Sequence, residues 1–169
     1  MLIHSWIEKN FQRLVEIRRW LHQHPEVGFN EHETSKYCQD YMKDLGFEIH
    51  RTEPMKTGFY CNYGIGNGPT LAVRCDLDAL PIQEINTVDY CSVNSGVSHA
   101  CGHDAHLANI LGLATYIIET EQTIPGTLRF LFQPAEEIAP GGAVVMIEGG
   151  AIDGVDHIIG GHILPSLSP

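Results

Sequence analysis

Apolar side chains at Ile3, Ile7, Phe11, Leu14, Ile17 and Leu21 recur at three- and four-residue intervals, with Glu, Lys and Arg between them. This spacing predicts an amphipathic helix over residues 3–22, ended by Pro25. Asn30-x-x-Glu33 reads as a capping box, and Tyr37, Tyr41, Met42 and Leu45 mark a second helix closed by Gly46. Phe47–Arg51 and Gly58–Tyr63 read as short edge strands, followed by a turn over Gly64–Pro69. Thr70–Cys75 (TLAVRC) is a nearly continuous apolar run, the pattern of a strand buried on both faces of a parallel sheet. Residues 82–99 are polar and irregular and read as a loop. Asp104–Thr120 is apolar almost all round, so it reads as a buried helix. Thr127–Phe132 is a further strand, Gly141–Glu148 a short helix with Gly149-Gly150 at its C-cap, and His157–Gly161 a last strand. Strands alternating with helices predict an α/β fold: a sheet with parallel central strands and helices on both faces.

Composition narrows the class. The 169 residues suit one domain, and no repeat, low-complexity stretch or interdomain linker divides them. A hydrophobic content of 43% supplies a core, and 18% charged residues is too few for a disordered chain. The net charge of −11 and the lack of any Lys/Arg run argue against a nucleic-acid partner. The apolar stretch near 107–118 is too short and too interrupted to span a membrane, and the N-terminal residues lack the pattern of a signal peptide. Five cysteines without C-x-x-C spacing fit a reducing cytoplasm better than a disulfide scaffold.

The chemistry concentrates in three places. HACGHDAH at 99–106 packs a thiol, imidazoles and a carboxylate into eight residues; Glu136-Glu137 follow a strand; His162 follows another. Cys, His and Glu are ligand types of zinc and its neighbours. Asp76/Asp78, Glu136/Glu137 and His162 each come directly after an apolar strand. In open α/β sheets ligands bind outside the carboxyl ends of the strands, so parallel neighbours would bring these groups to one rim. Cys101 and His103 lie just before the buried helix, whose N-terminal end favours a thiolate. Within Glu136-Glu137 one carboxylate would bind a metal and the other would move protons. Asp76-x-Asp78 either orients a ligand histidine or caps its strand. His99 and His106 are weaker candidates, and His22 and His24 are assigned no chemistry. Gly141-Gly142 forms a tight turn or lends N–H groups near a substrate. Two other readings stand beside the metal centre: a cysteine hydrolase using Cys101 with a histidine base, and a domain that folds and binds metal without turnover.

Arg18-Arg19-Trp20-Leu21-His22 with Pro25-Glu26, Phe29, Glu31 and Thr34, then DLDALP, HACGHDAH, FQPAEE and GGHILP, stand in the order and spacing of a known family. From about residue 14 to residue 165 the chain resembles metallopeptidase family 20, in the amidohydrolase branch that includes hippurate hydrolase. The resemblance implies a two-metal centre of zinc or manganese type, with Cys101, His103, Glu137 and His162 as ligands. It implies Glu136 as general base and Asp78 as support of the metal shell. The implied reaction is hydrolysis of N-acyl amino acids or similar small-molecule amides. Members of the family are longer, and continue into a lid and dimerisation domain and then a further catalytic segment that supplies a last histidine ligand. On this pattern residues 1–169 are the N-terminal portion of the catalytic domain, and a homo-oligomer would lack the usual dimerisation segment.

Overall fold

The structure, a computed structural model, describes residues 2–64 and 66–164. Ile65 of the expected turn and Pro165 of GGHILP lie outside the described residues. The elements run α1 (Ile3–Gln23), α2 (His32–Asp44), a 3₁₀ turn (Glu53–Met55), β1 (Phe59–Gly64), β2 (Thr70–Asp76), α3 (His103–Glu119), β3 (Thr127–Gln133), α4 (Gly142–Glu148) and β4 (His157–Gly160). The strands form one sheet in the order β1-β3-β2-β4. β2 pairs in parallel with both β3 and β4, while β1 runs antiparallel to β3 at the edge. Val73 lies opposite Phe130 and Ile159, and Asp76 opposite Gln133. The α/β expectation, with parallel central strands and helices on both faces, describes this arrangement.

The alternation of side chains along the strands divides the core in two. On one face Phe59, Val73, Cys75, Phe130 and Phe132 pack under α3 through Leu107, Leu111 and Ala114, with Ile17 and Leu21 of α1 and Cys38 and Met42 of α2 behind them. On the other face Ala72 and Leu131 pack against Met55, Met146 of α4 and Ala151. β4 is the last strand at one side of the sheet, and among the described residues nothing covers Ile158 and Ile159, which stand exposed on it. Among the described residues no helix is long and apolar enough to cross a membrane.

Two expectations change. Asn30 does not cap α2: the helix starts at His32, and its end is capped from outside by Glu26. The Glu26 carboxylate accepts Glu33 N (3.1 Å), Thr34 N (2.8 Å) and Thr34 Oγ1 (2.8 Å). The chain reverses at Phe29, in the left-handed region at φ 63°, and this carries Glu26 over the helix end. Phe47–Arg51 forms no strand and contributes one bridge, His50 to Tyr60. Phe47 N is already committed to Met42 O (3.0 Å), and Gly46 N to Lys43 O (2.8 Å), a helix-ending motif that holds this segment against α2. The chain then bends into the 3₁₀ turn, which contains Pro54.

The turn after β3 is built around close contact. Gly142, first residue of α4, lies so near the Pro134 carbonyl that a Cβ there would fall 1.7 Å from its oxygen. Gly142 N donates to Ala135 O (2.8 Å), so this N–H closes the turn and is not free for a substrate. Gly142→Ala is expected to cost at least about 2 kcal/mol in urea unfolding, because backbone must move. Gly96→Ala, at φ +80° with nothing near its Cβ, should cost only about 1 kcal/mol.

Candidate metal centre

Parallel pairing places the carboxyl ends of β2, β3 and β4 side by side, and α3 begins above them. Gly102, at φ 87°, makes the sharp entry into α3 that turns Cys101 and His103 toward the same rim. Cys101 Sγ lies 3.2 Å from His162 Nε2. His162 Nδ1 donates to Ile163 O (2.7 Å), which leaves the Nε2 lone pair facing the thiol. His103 is buried, and its Nδ1–H donates to the carbonyl of Asp78 (2.9 Å). Among the described residues its Nε2 has no hydrogen bond, and it faces Glu137 Oε1 at 3.7 Å and Glu136 Oε2 at 4.0 Å. Glu137 Oε1 is also buried and has no hydrogen-bond donor among the described residues. The Asp78 carboxylate accepts Glu137 N (2.9 Å), so one aspartate orients both the imidazole and the glutamate.

Three ligand groupings meet at this rim: Cys101/His103/His162, His103/Glu136/Glu137 and Asp76/His103/His106, the atoms of each lying within 4.8 Å of one another. Asp76 is ion-paired with Arg74, whose guanidinium also donates to Gln133 Oε1 (3.0 Å). All six residues singled out from the sequence, Asp78, Cys101, His103, Glu136, Glu137 and His162, fall in one cluster. His106, weighed lightly there, joins it: its ring centroid is 4.6 Å from that of His162, and its Nε2 accepts Ile163 N (3.0 Å). His99 does not join it; it is buried, and among the described residues neither ring nitrogen is hydrogen-bonded.

Burial within the cluster favours the neutral forms of Cys101, Asp76 and His106. Burial, and then the carboxylates of Glu137, Glu136 and Asp76, push the Cys101 thiol up to about 12. This reverses the thiolate expected from the helix end: burial first, and then the neighbouring carboxylates, outweigh the helix dipole. Burial raises Asp76 to about 6 despite Arg74. Burial and the charges of His103 and His162 lower His106 to about 4. A buried imidazole nitrogen and carboxylate oxygen without partners, a thiol and a further imidazole form a donor set suited to a divalent cation. Such a cation would reverse the thiol's preference.

Residues 72–169 match the model of Peptidase family M20/M25/M40. The chain belongs to this family. It is 45% identical over 155 residues to the N-acyl-L-amino acid amidohydrolase of Geobacillus stearothermophilus, an alignment covering 91% of this chain and 42% of that protein. It is 43% identical to the N-acetyl-L-cysteine deacetylase of Bacillus subtilis, over 97% of this chain and 38% of the relative. A solved Bacillus subtilis dinuclear metal binding peptidase from the M20 family superimposes with a TM-score of 0.88 at 42% identity, covering 95% of this chain and 45% of that one. The chain thus spans less than half the length of these relatives.

Around the M20 cluster lies a charged network to which the sequence reading assigned no chemistry. Asp104, wholly buried beside His103, accepts Arg18 Nε (2.9 Å), His22 Nδ1 (2.7 Å) and Ala105 N (2.9 Å). His22 Nε2 donates to Glu84 Oε1 (3.0 Å), and Glu84 Oε2 accepts Ser92 N (2.6 Å). The network joins α1, the 82–99 loop and the start of α3. Only sequence distance hid it: 82 residues separate His22 from Asp104.

The pH response of this network has a defined sign. Hydrogen bonding to Asp104, then to Glu84, raises His22 against burial, so its contribution is full below pH 6.5 and fades as pH climbs through the folded value. Burial works to raise Glu84, but Ser92 N–H, His22 and Asn86 hold it at about 2, so its contribution is full above 4.5 and fades below. His22→Gln should therefore lose most stability, about 2 kcal/mol, between pH 4.5 and 6.5, with a smaller loss on either side. Urea unfolding of both proteins across pH 3–9 measures this (the range is an approximate span around both transitions).

Proposed function

We propose that this chain carries the N-terminal metal-binding portion of an amidohydrolase catalytic domain. Its reaction is hydrolysis of the amide bond in N-acyl amino acids or related small molecules. The observation that carries the reading is the unpaired face-to-face placement of His103 Nε2 and Glu137 Oε1 beside the Cys101–His162 pair. Membership of the M20 family and the activities named for the relatives support it.

Cys101, His103, Glu137 and His162 would hold the metal centre, two divalent ions of zinc or manganese type. When bound, these ions supply polarisation of the scissile carbonyl and acidification of the attacking water. Asp78 keeps His103 in the tautomer whose Nε2 is free to ligate and fixes the backbone of Glu137. Glu136 is the general base. Its carboxylate is 40% exposed against 21% for Glu137, so it can reach both water and a substrate nitrogen. It takes the proton of the attacking water and delivers it to the leaving amine as the carbon–nitrogen bond breaks. The products are a carboxylate and an amine. The acting partner is a small-molecule amide in a cytoplasmic setting, with neither nucleic acid nor membrane required.

A cysteine nucleophile is a weaker reading. The Cys101–His162 contact has the right reach, but a thiol held near 12 by burial and neighbouring carboxylates is a poor nucleophile at neutral pH. The two readings part under chelation, which should abolish amine release from N-acetyl and N-benzoyl amino acids on the metal reading and spare it on the cysteine reading. Release that survives chelation would sink the metal reading. Metal bound without release would favour the non-catalytic domain.

The division of the glutamate pair has its own test. Glu136→Gln should keep bound manganese or zinc and lose about a hundredfold or more in turnover. Cys101→Ala and Glu137→Ala should each lower the metal content measured by mass spectrometry. Equal metal loss in Glu136→Gln and Glu137→Ala would show that the roles are wrongly divided.

A further inference from the structure

Glu31 is wholly buried, yet among the described residues no lysine, arginine or histidine pairs with it. Its carboxylate is held by dipoles instead. Oε1 accepts Ala135 N (2.7 Å), and Oε2 accepts Thr57 Oγ1 (2.6 Å). An apolar side chain of the same volume would fill this space without the cost of desolvating a charge. What such a side chain cannot do is accept the N–H of Ala135.

That N–H belongs to a residue in a demanding place. Ala135 sits at φ +47°, in the left-handed region that costs a non-glycine residue, and it immediately precedes Glu136-Glu137. Its peptide is fixed on both sides, the N–H by Glu31 and the carbonyl by Gly142 N (2.8 Å). Gly28 closes the third side, since a Cβ there would lie 3.0 Å from both Cα and Cβ of Ala135. The same stretch of chain also holds the loop after β2. Val27 bridges Ala79, and Ala79 N donates to Glu26 O (2.8 Å). Residues 26–31 thus grip both acidic loops of the site, although more than forty residues separate Glu31 from Asp78 and about a hundred from Glu137.

We propose that Glu31 is a positioning residue of the metal centre: its carboxylate fixes the Ala135 amide and, through it, the placement of Glu136 and Glu137 against His103. The proposal rests on the reading of Glu137 as a metal ligand. A glutamine at this position has the same shape. Its amide oxygen can accept Ala135 N–H while its NH₂ donates to Thr57 Oγ1, which is able to act as acceptor. Alanine can do neither.

The test uses Co²⁺ as the probe. Its visible spectrum and its sulfur-to-cobalt band report ligand geometry, and its affinity is read by competition with a chelator. Glu31→Ala is expected to bind Co²⁺ at least about tenfold more weakly with altered bands, while Glu31→Gln stays within about threefold of wild type with unchanged bands. Gly28→Ala, which pushes on Ala135 and removes no polar group, should shift the bands as Glu31→Ala does. A folded Glu31→Ala with wild-type affinity and spectrum overturns the proposal, and so does a Glu31→Gln as impaired as alanine. If Glu31→Ala shows no cooperative unfolding, Gly28→Ala decides, and wild-type bands there overturn it. Wild type that takes up no Co²⁺ refutes the ligand reading instead. Amide exchange across residues 135–137 then judges the proposal: at least about tenfold faster exchange in Glu31→Ala than in Glu31→Gln supports it, and equal rates overturn it.

Discussion

The parallel pairing of β2 with both of its neighbours is the constraint on which this site depends. Parallel strands present their carboxyl ends at one rim, so the residues following β2, β3 and β4 meet although the chain separates them widely. Asp78, Glu137 and His162 become neighbours for that reason alone. The same pairing crowds Asp76, Glu136 and Glu137 around the half-buried Cys101. Burial and mutual repulsion then push the thiol and Asp76 toward their protonated forms. A dication is the simplest species that satisfies such a cluster, since it relieves the repulsion and uses the lone pairs that are otherwise unpaired.

A rim made from loop residues keeps its geometry only if the loops are held. Each is tied to something that arrives earlier in the chain. Glu31 and Gly28 press on Ala135, Glu26 holds Ala79, and the Arg18–Asp104–His22–Glu84 network fixes the start of α3. α1 and the turn after it therefore do more than cover the sheet. They carry polar contacts to the loops after β2 and β3 and to the start of α3. Polar groups buried in this way are costly unless matched, and here they are matched almost wholly by backbone N–H groups and by one another.

Most of the fold was legible in the sequence. The helical spacing that reaches Ile17 and Leu21, the nearly continuous apolar run of TLAVRC and the apolar helix after Asp104 reflect burial, which periodicity reports, although Ile3, Ile7 and Phe11 share the spacing of α1 and stand exposed. The misreadings fell where a local signal was outbid from a distance. Asn30-x-x-Glu33 has the letters of a capping box, but Glu26 reaches the helix end first because the chain reverses at Phe29. Phe47–Arg51 has strand composition, but its first N–H is spent on closing α2.

By itself the sequence determined the alternation of elements and the residue types at the strand ends, and so an α/β sheet with thiol, imidazole and carboxylate groups after its strands. These follow from local burial and from position along the chain. Only the tertiary structure decided which nitrogen of His103 is free, that Asp78 serves both His103 and Glu137, that the Cys101 thiol is raised and not lowered, and that Glu31 accepts the N–H of Ala135, next to the glutamate pair. The reason is the same in each case. Tautomer, proton affinity and loop placement are set by the nearest polar atoms in space, and here those atoms come from segments of the chain that sequence spacing does not connect.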